Sequence, residues 1–161
     1  GFRTVFNVLG PLVNPANPAF QCSGVYDLET QRLYAYLLKR RGKRFAVVHA
    51  LDGYDEVSLT APARIITHTG TRELSAEDFG LSPLTPESLR APASVAESAQ
   101  LVVALLEGRG TPAQESVVVA NAAVVMHSYE GQGELQELCA RARESIRSGA
   151  ARKSLQRSVE V

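Results

Sequence analysis

Apolar residues in the first third of the chain follow spacings that predict a strand, a helix and a second strand. The segment FQCSGVY, residues 20–26, alternates imperfectly and is typical of a short strand. Asp27 can cap a helix whose apolar residues recur every three or four positions and which ends in three cations before Gly42. The run RFAVVHAL, residues 44–51, is continuously apolar, as expected of a strand covered on both faces in a parallel sheet. The pattern therefore predicts a βαβ unit.

The pattern that follows predicts one more strand and then helices. ARIITH, residues 63–68, lies between a proline and a glycine and is typical of a strand. Residues 93–107 have helical spacing, which places Val95 and Val102 on one face with two leucines. Amphipathic patterns on both sides of Gly149 predict two closing helices.

A further helix is predicted to begin after Thr111. Thr111 and Gln114 have the spacing of a capping box, and Pro112 suits the first helical turn. The run VVVANAAVVM, residues 117–126, is apolar on all sides, so we expect this helix to be buried in the core. Together the elements predict an α/β fold with a mostly parallel sheet flanked by helices.

Composition and charge limit the kinds of partner. The 161 residues suit one domain, and 17 Lys and Arg balance 17 Asp and Glu, so no global field favours nucleic acid or an anionic membrane surface. The apolar, uncharged run at residues 116–129 is shorter than the ~20 apolar residues of a membrane span. Cys22 and Cys139 match no paired or metal-binding spacing and are expected to be buried, inert thiols. We expect a soluble, cytoplasmic protein. Because the sequence begins at Gly1, with no methionine and no signal-like segment, we also expect it to come from the interior of a longer chain.

The candidate chemistry lies in the segment HALDGYDEVSLT, residues 49–60, where Asp55 and Glu56 follow the predicted strand. Ligands in parallel α/β sheets gather outside the carboxyl ends of the strands. Two carboxylates ~5 Å apart at an effective dielectric constant of ~20 repel by about 3 kcal/mol. A divalent cation bound between them would turn this repulsion into a net attraction. Mg²⁺ takes one or two carboxylates together with phosphates and water. The spacing alone also fits a solvated acidic turn, since adjacent acidic residues are common in loops.

Other kinds of catalytic site find no support in the sequence. There is no nucleophile elbow and no GxGxxG or GxxxxGK phosphate loop. The three histidines, at positions 49, 68 and 127, lack metal-ligand spacing, so we predict no zinc site. We assign no catalytic residue and no substrate-binding residue.

Four segments, which occur in the same order along the chain as in a known family, carry a resemblance to that family. They are RTVFNVLGPLVNPAN (residues 3–17), GVYD (24–27), AVVHALDGYDEVSLT (46–60) and VVANAAVVMHSYEG (118–131). Together with the closing SGAARKSLQRSVEV they resemble the anthranilate phosphoribosyltransferases, whose wider family includes the pyrimidine nucleoside phosphorylases. The resemblance covers nearly the whole chain.

The resemblance implies a fold and an activity. Members are homodimers with a small helical domain and a larger α/β domain. They transfer phosphoribose from phosphoribosyl pyrophosphate to anthranilate, giving N-(5-phosphoribosyl)anthranilate and pyrophosphate, in tryptophan biosynthesis. Residues 1–18 would be the last piece of the helical domain and a hinge, and residues 19–161 the incomplete C-terminal part of the α/β domain. The family's glycine-rich loop, Lys-His-Gly-Asn stretch and anthranilate-binding arginine would all precede Gly1, so the chain alone is expected to be inactive.

One functional element of the family falls on residues of this chain. The resemblance implies that Asp55 and Glu56 bind the Mg²⁺ that accompanies the pyrophosphate. The chain reads TAPA at residues 60–63, where many relatives read TGPT. Two alternatives stay open, namely a nucleic-acid-binding, non-enzymatic relative of the same fold, against which the balanced charge argues, and a nucleoside phosphorylase.

Overall fold

The computed structural model describes residues 10–159, which form a four-stranded sheet with helices on both faces. The strands are β1 (Phe20–Gly24), β2 (Arg44–Ala50), β3 (Ala63–Thr67) and β4 (Thr71–Leu74). The helices are α1 (Leu28–Arg40), α2 (Val95–Leu106), α3 (Pro112–Glu130), α4 (Leu135–Arg147) and α5 (Ala150–Val159). Short 3₁₀ turns cover Gly10–Val13, Ala76–Phe79 and Pro86–Leu89. Every predicted helix and strand is confirmed, and β4 is an element that the pattern did not predict.

The sheet is mixed, so the prediction of a mostly parallel sheet is wrong for the described residues. The strand order is β1-β2-β3-β4, in which β1 and β2 are parallel while the other two pairings are antiparallel. The physical reason lies in the β2–β3 and β3–β4 connections, because parallel neighbouring strands need a long crossover connection, which is usually a helix. Residues 51–62 and 68–70 contain no helix that could serve as one. The βαβ unit from β1 to β2 is confirmed.

Local signals in the sequence explain the βαβ unit. The Asp27 carboxylate accepts a hydrogen bond from the Thr30 backbone N–H at 2.7 Å, which caps α1. After the helix ends, Gly42 takes a left-handed φ of +64°, which returns the chain toward β2. From Phe45 to Ala50 every residue of β2 is buried.

The core lies in two layers on the two faces of the sheet. Beneath α1, Phe45 and Val47 of β2 pack with Tyr34 and Leu38. On the opposite face, the alternate residues of β2 pack in a larger cluster with α3 and α4, to which Val119 and Leu138 belong. Because successive strand residues point to opposite faces, β2 is covered on both sides as predicted.

Two helices are less buried than their patterns predict. In α2, Val95 and Val102 are 88% and 51% exposed, so they do not share a buried face with Leu105. In α3, which was expected to be buried all round, Val118 and Val125 are 36% and 39% exposed. The reason is that α3 packs mainly against β2 and α4, and these elements leave Val118 and Val125 uncovered.

Several other expectations concern individual segments. Cys139 is buried as expected, but Cys22 is exposed on β1, which corrects the expectation for that thiol. Within residues 10–159, no helix is both long and apolar enough to cross a bilayer. Much of the first resembling segment, residues 3–9, lies outside the described residues, as do residues 160–161.

Candidate metal centre

The acidic pair lies on irregular backbone just beyond the carboxyl end of β2, where the sequence placed it. Gly53, with a φ of +103°, donates its backbone N–H to the Ala50 carbonyl at 2.9 Å, and the Ala50 N–H donates to the Tyr54 carbonyl at the same distance. Glycine favours this left-handed conformation because it has no Cβ. The tight turn reverses the chain, so that Asp55 and Glu56 follow next to the strand end.

Both carboxylates of the pair are available to a ligand. Asp55 and Glu56 are exposed, and neither carboxylate has a hydrogen bond or an ion pair with any residue in the range 10–159. Although Glu56 as a whole residue is exposed, partial burial of its carboxylate, followed by the negative charge of Asp55, raises the pKa of Glu56 above its ordinary value. Partial desolvation and mutual repulsion both disfavour the doubly ionised pair, and a cation between the carboxylates would relieve both.

Gly24, the last residue of β1, makes a close approach to the pair. A Cβ atom built on Gly24 would lie 1.7 Å from the Asp55 carbonyl oxygen. Beyond it, the Val25 N–H donates to the Val48 carbonyl at 2.9 Å, and His49 Nδ1 lies 2.9 Å from the Val25 carbonyl oxygen. The acidic segment, residues 52–57, therefore lies against the carboxyl ends of the two parallel strands, where ligands of α/β folds bind.

Asn121 of α3 holds the residue that follows the pair. The Val57 backbone N–H donates to Asn121 Oδ1 at 2.9 Å. Asn121 Nδ2 donates to the Val57 carbonyl and to the Val117 carbonyl, each at 2.9 Å. Both backbone groups of Val57 are thus bound by one side chain of the helix.

The third carboxylate of residues 49–60, that of Asp52, already accepts hydrogen bonds from neighbouring hydroxyls. Asp52 accepts hydrogen bonds from the hydroxyls of Ser58, at 3.4 Å, and Thr60. No group of three or more His, Cys, Asp or Glu side chains that could hold a metal ion exists within the described part of the chain. The donor set at this position consequently consists of the two carboxylates of Asp55 and Glu56.

This donor set fits a magnesium ion. Two unpartnered carboxylates supply hard oxygen ligands, and Mg²⁺ usually takes one or two of these and completes its shell with water and substrate phosphates. The backbone around the pair is fixed by contacts to β1 and α3. The metal assignment of Asp55 and Glu56 stays a prediction.

Sequence reasoning did not find Gly24 and Asn121. Asn121 gave a signal, since it is the one polar residue in the apolar run of residues 117–126. Gly24 gave none beyond its membership of the resembling segment GVYD, because its role depends on a contact with a residue 31 positions away, Asp55. Such contacts leave no local pattern.

A cavity of about 230 Å³ lies at the other end of the sheet. It is lined by the β3–β4 turn and by the facing ends of α3 and α4, including Thr71, Val124 and Leu135. Thr67 at this end pairs with Ala46, whereas Ala63 pairs with Ala50 near the acidic segment. The cavity therefore does not adjoin Asp55 and Glu56.

Comparison with known proteins gives the family. The sequence signature described as "Glycosyl transferase family, a/b domain" matches residues 1–152. The chain belongs to this family.

Relatives of this chain are named anthranilate phosphoribosyltransferase. The one from Christiangramia forsetii is 42% identical over 149 residues, which are 92% of this chain and 45% of that relative. The one from Bacteroides fragilis strain YCH46 is 41% identical over 159 residues, 99% of this chain and 48% of that relative. The chain spans about half the length of the relatives it matches.

Solved structures give the same picture of the glycosyl transferase fold. The anthranilate phosphoribosyltransferase of Thermus thermophilus matches with a TM-score of 0.85 and 34% identity, over 99% of this chain and 48% of that chain. The Saccharomyces cerevisiae enzyme in complex with PRPP and Mg matches with a TM-score of 0.86 and 29% identity, over 97% and 45% of the two chains. These matches confirm the resemblance drawn from the sequence and the α/β class.

Proposed function

We propose that this chain is part of an anthranilate phosphoribosyltransferase, which transfers phosphoribose from phosphoribosyl pyrophosphate to anthranilate. The observation that carries the proposal is the unpartnered Asp55–Glu56 pair at the carboxyl ends of β1 and β2, in a chain that matches enzymes of that name along nearly its whole length. The yeast enzyme binds PRPP with Mg, and it has also been solved with 4-fluoroanthranilate. PRPP is the phosphoribosyl donor of the proposed reaction, and 4-fluoroanthranilate is an analogue of its acceptor.

In this proposal Asp55 and Glu56 hold Mg²⁺ for the diphosphate of the substrate. When the bond from C1 of the ribose to pyrophosphate breaks, negative charge builds on the leaving group and positive charge on the sugar. A bound Mg²⁺ supplies electrostatic neutralisation of the leaving group. The role of this chain's residues is to place two carboxylates at the strand ends, and the chain contributes no nucleophile to the reaction.

The rest of the proposal follows from the family. Residues 1–18 would form the end of a helical domain and a hinge, and residues 19–161 part of the α/β domain. A homodimer in the cytoplasm is the corresponding assembly and location. Since the chain covers about half of its relatives, activity is proposed for the intact protein, and the 161-residue chain alone is expected to be inactive.

The test neutralises the acidic pair in the intact protein. The double variant Asp55→Asn with Glu56→Gln should lower the rate of anthranilate consumption on the order of 100-fold, since it removes the groups that hold the charge-stabilising ion. The matched control, Glu137→Gln with Glu144→Gln, changes the net charge equally at two exposed positions of α4. An unchanged rate and Mg²⁺ dependence in the first variant would show that the metal assignment is wrong. An intact protein that consumes no anthranilate with phosphoribosyl pyrophosphate would show that the proposed activity is wrong.

A further inference from the structure

Two residues far apart in the sequence hold the acidic segment from two sides. Asn121 belongs to α3 and Gly24 to β1, and neither carries charge. We propose that Asn121 and Gly24 position Asp55 and Glu56 and thereby set their affinity for a divalent cation, an inference that rests on the proposed function.

Asn121 fixes the backbone directly after Glu56. Its side-chain amide binds both the N–H and the carbonyl of Val57 at 2.9 Å, as a neighbouring strand would. A third bond, to the Val117 carbonyl, fixes the orientation of the amide on α3. Val57 is only 1% exposed, so water cannot readily replace Asn121 as the partner of these backbone groups. Any substitution that removes the amide therefore frees the segment next to Glu56.

Gly24 fixes the segment from the side of β1. A Cβ at this position would lie 1.7 Å from the carbonyl oxygen of Asp55 and 2.8 Å from its carbonyl carbon. These are backbone atoms, so they cannot rotate away as a side chain could, and Asp55 itself would have to move. Gly24 does not have a left-handed φ, so the requirement for glycine here is one of space.

Both residues are positioning residues, because they reach the cation only through Asp55 and Glu56. The Asn121 amide oxygen already accepts a hydrogen bond from Val57, and Gly24 has no side chain. Mg²⁺ demands nearly ideal octahedral geometry, so small shifts of its carboxylate ligands weaken binding. Residues that orient metal ligands typically change metal affinity by about 10–100-fold when they are mutated.

The experiment measures binding of Mn²⁺, a paramagnetic substitute for Mg²⁺, to the intact protein by electron paramagnetic resonance. Asn121→Leu, which replaces the amide with an apolar side chain of similar size, and Gly24→Ala should each weaken Mn²⁺ binding by about 10–100-fold. The matched controls should bind as the parent does. They are Val124→Ala, a buried position on the same helix, and Gly70→Ala, where an added Cβ has no atom within 4 Å.

A local readout separates positioning from a general loss of stability. Asn121→Leu should speed hydrogen exchange at the Val57 amide while the amides of α3 stay protected, and Asn121→Ala provides the same test if the leucine variant does not fold. If the folded variants bind Mn²⁺ as the controls do, while Asp55→Asn with Glu56→Gln abolishes binding, this inference is overturned and the proposed function stands. If the neutralised pair binds Mn²⁺ as the parent does, the proposed metal site is wrong and the inference fails with it.

Discussion

Gln31 is a fully buried polar residue between α1 and the sheet. Its Nε2 donates to the Val47 carbonyl of β2 at 3.0 Å and to the Arg64 carbonyl of β3 at 2.7 Å. Its Oε1 is buried and has no hydrogen-bond partner within the described residues. A buried polar group costs free energy unless it is paired, so the two donated bonds must offset the cost of burying the whole amide.

We predict that Gln31→Ala lowers the free energy of unfolding by about 1–3 kcal/mol, because it removes a buried hydrogen-bond donor from two strand carbonyls. The measurement is urea unfolding followed by circular dichroism. The neighbouring control, Arg32→Ala, changes an exposed residue of the same helix and should stay within about 0.5 kcal/mol of the parent. Equal stability of the two variants would mean that the Gln31 bonds make no net contribution.

At the scale of elements, an ion pair links the end of α3 to α4. Arg141 donates from Nη1 and Nη2 to the two carboxylate oxygens of Glu130, each at 2.9 Å. Hydrogen bonding from Arg141, assisted by its positive charge, holds the pKa of the exposed Glu130 below its ordinary value against a smaller opposing effect of desolvation. A depressed carboxylate pKa means that the contribution to stability is complete above the unfolded-state pKa and is lost as the pH falls through the folded-state pKa.

We therefore predict that Arg141→Gln raises the pKa of Glu130 toward its ordinary value of about 4.3. The measurement is a pH titration of the Glu130 carboxyl carbon by NMR. The same substitution should reduce the dependence of stability on pH below about pH 4.3, where the parent progressively loses the ion pair. Arg147→Gln, on the same helix, is the control and should leave the Glu130 titration unchanged. Identical titrations of Glu130 in the parent and in Arg141→Gln would contradict the prediction.

Elements with local signals were predictable from the sequence. The capping box is one example, in which Thr111 and Gln114 exchange hydrogen bonds at 3.3 and 2.9 Å as their spacing indicates. β4, the segment TREL at Thr71–Leu74, was not predictable, because it is short, mostly exposed and carries no clear alternation. The direction of β3 was also not predictable from the sequence, since an apolar run is compatible with parallel or antiparallel neighbours.

The candidate site was predictable only in part, for a related reason. The position of Asp55 and Glu56 beyond a strand end follows from the apolar run before them. The contacts that fix them do not, because Asn121 and Val57 are 64 positions apart. The same holds for α3, whose apolar run predicts burial but cannot say which of its sides has a partner.

At the scale of the whole molecule, one side of the described structure presents apolar surface beside an open sheet edge. β1 pairs only with β2 within residues 10–159, so its other edge has no strand partner there. Next to it, α3 exposes Val118, Val125 and Tyr129 at 36%, 39% and 59%. Tyr129 packs edge-on against Phe20 of β1, with ring centroids 5.6 Å apart, which joins the helix stripe to the strand. We refer to these residues of α3 together with β1 as the β1 surface.

We predict that the 161-residue chain, prepared alone, associates through the β1 surface. Unpaired strand edges and contiguous apolar patches promote self-association, and here both occur side by side. In analytical ultracentrifugation the average mass should rise above 17.3 kDa as the concentration increases. Val125→Lys places a charge in the middle of the stripe and should shift association to at least about tenfold higher concentration, a change of about 1.4 kcal/mol.

Val95→Lys is the matched control for this prediction. Val95 is 88% exposed, but it lies at the start of α2 and outside the β1 surface. If apolar exposure alone caused association, the two lysine variants would behave alike. If the β1 surface causes it, only Val125→Lys should dissociate the chain, because only there does a charge have to be desolvated at the contact. A parent chain that remains a compact monomer at every concentration would show that the exposed edge and stripe are not sufficient for association.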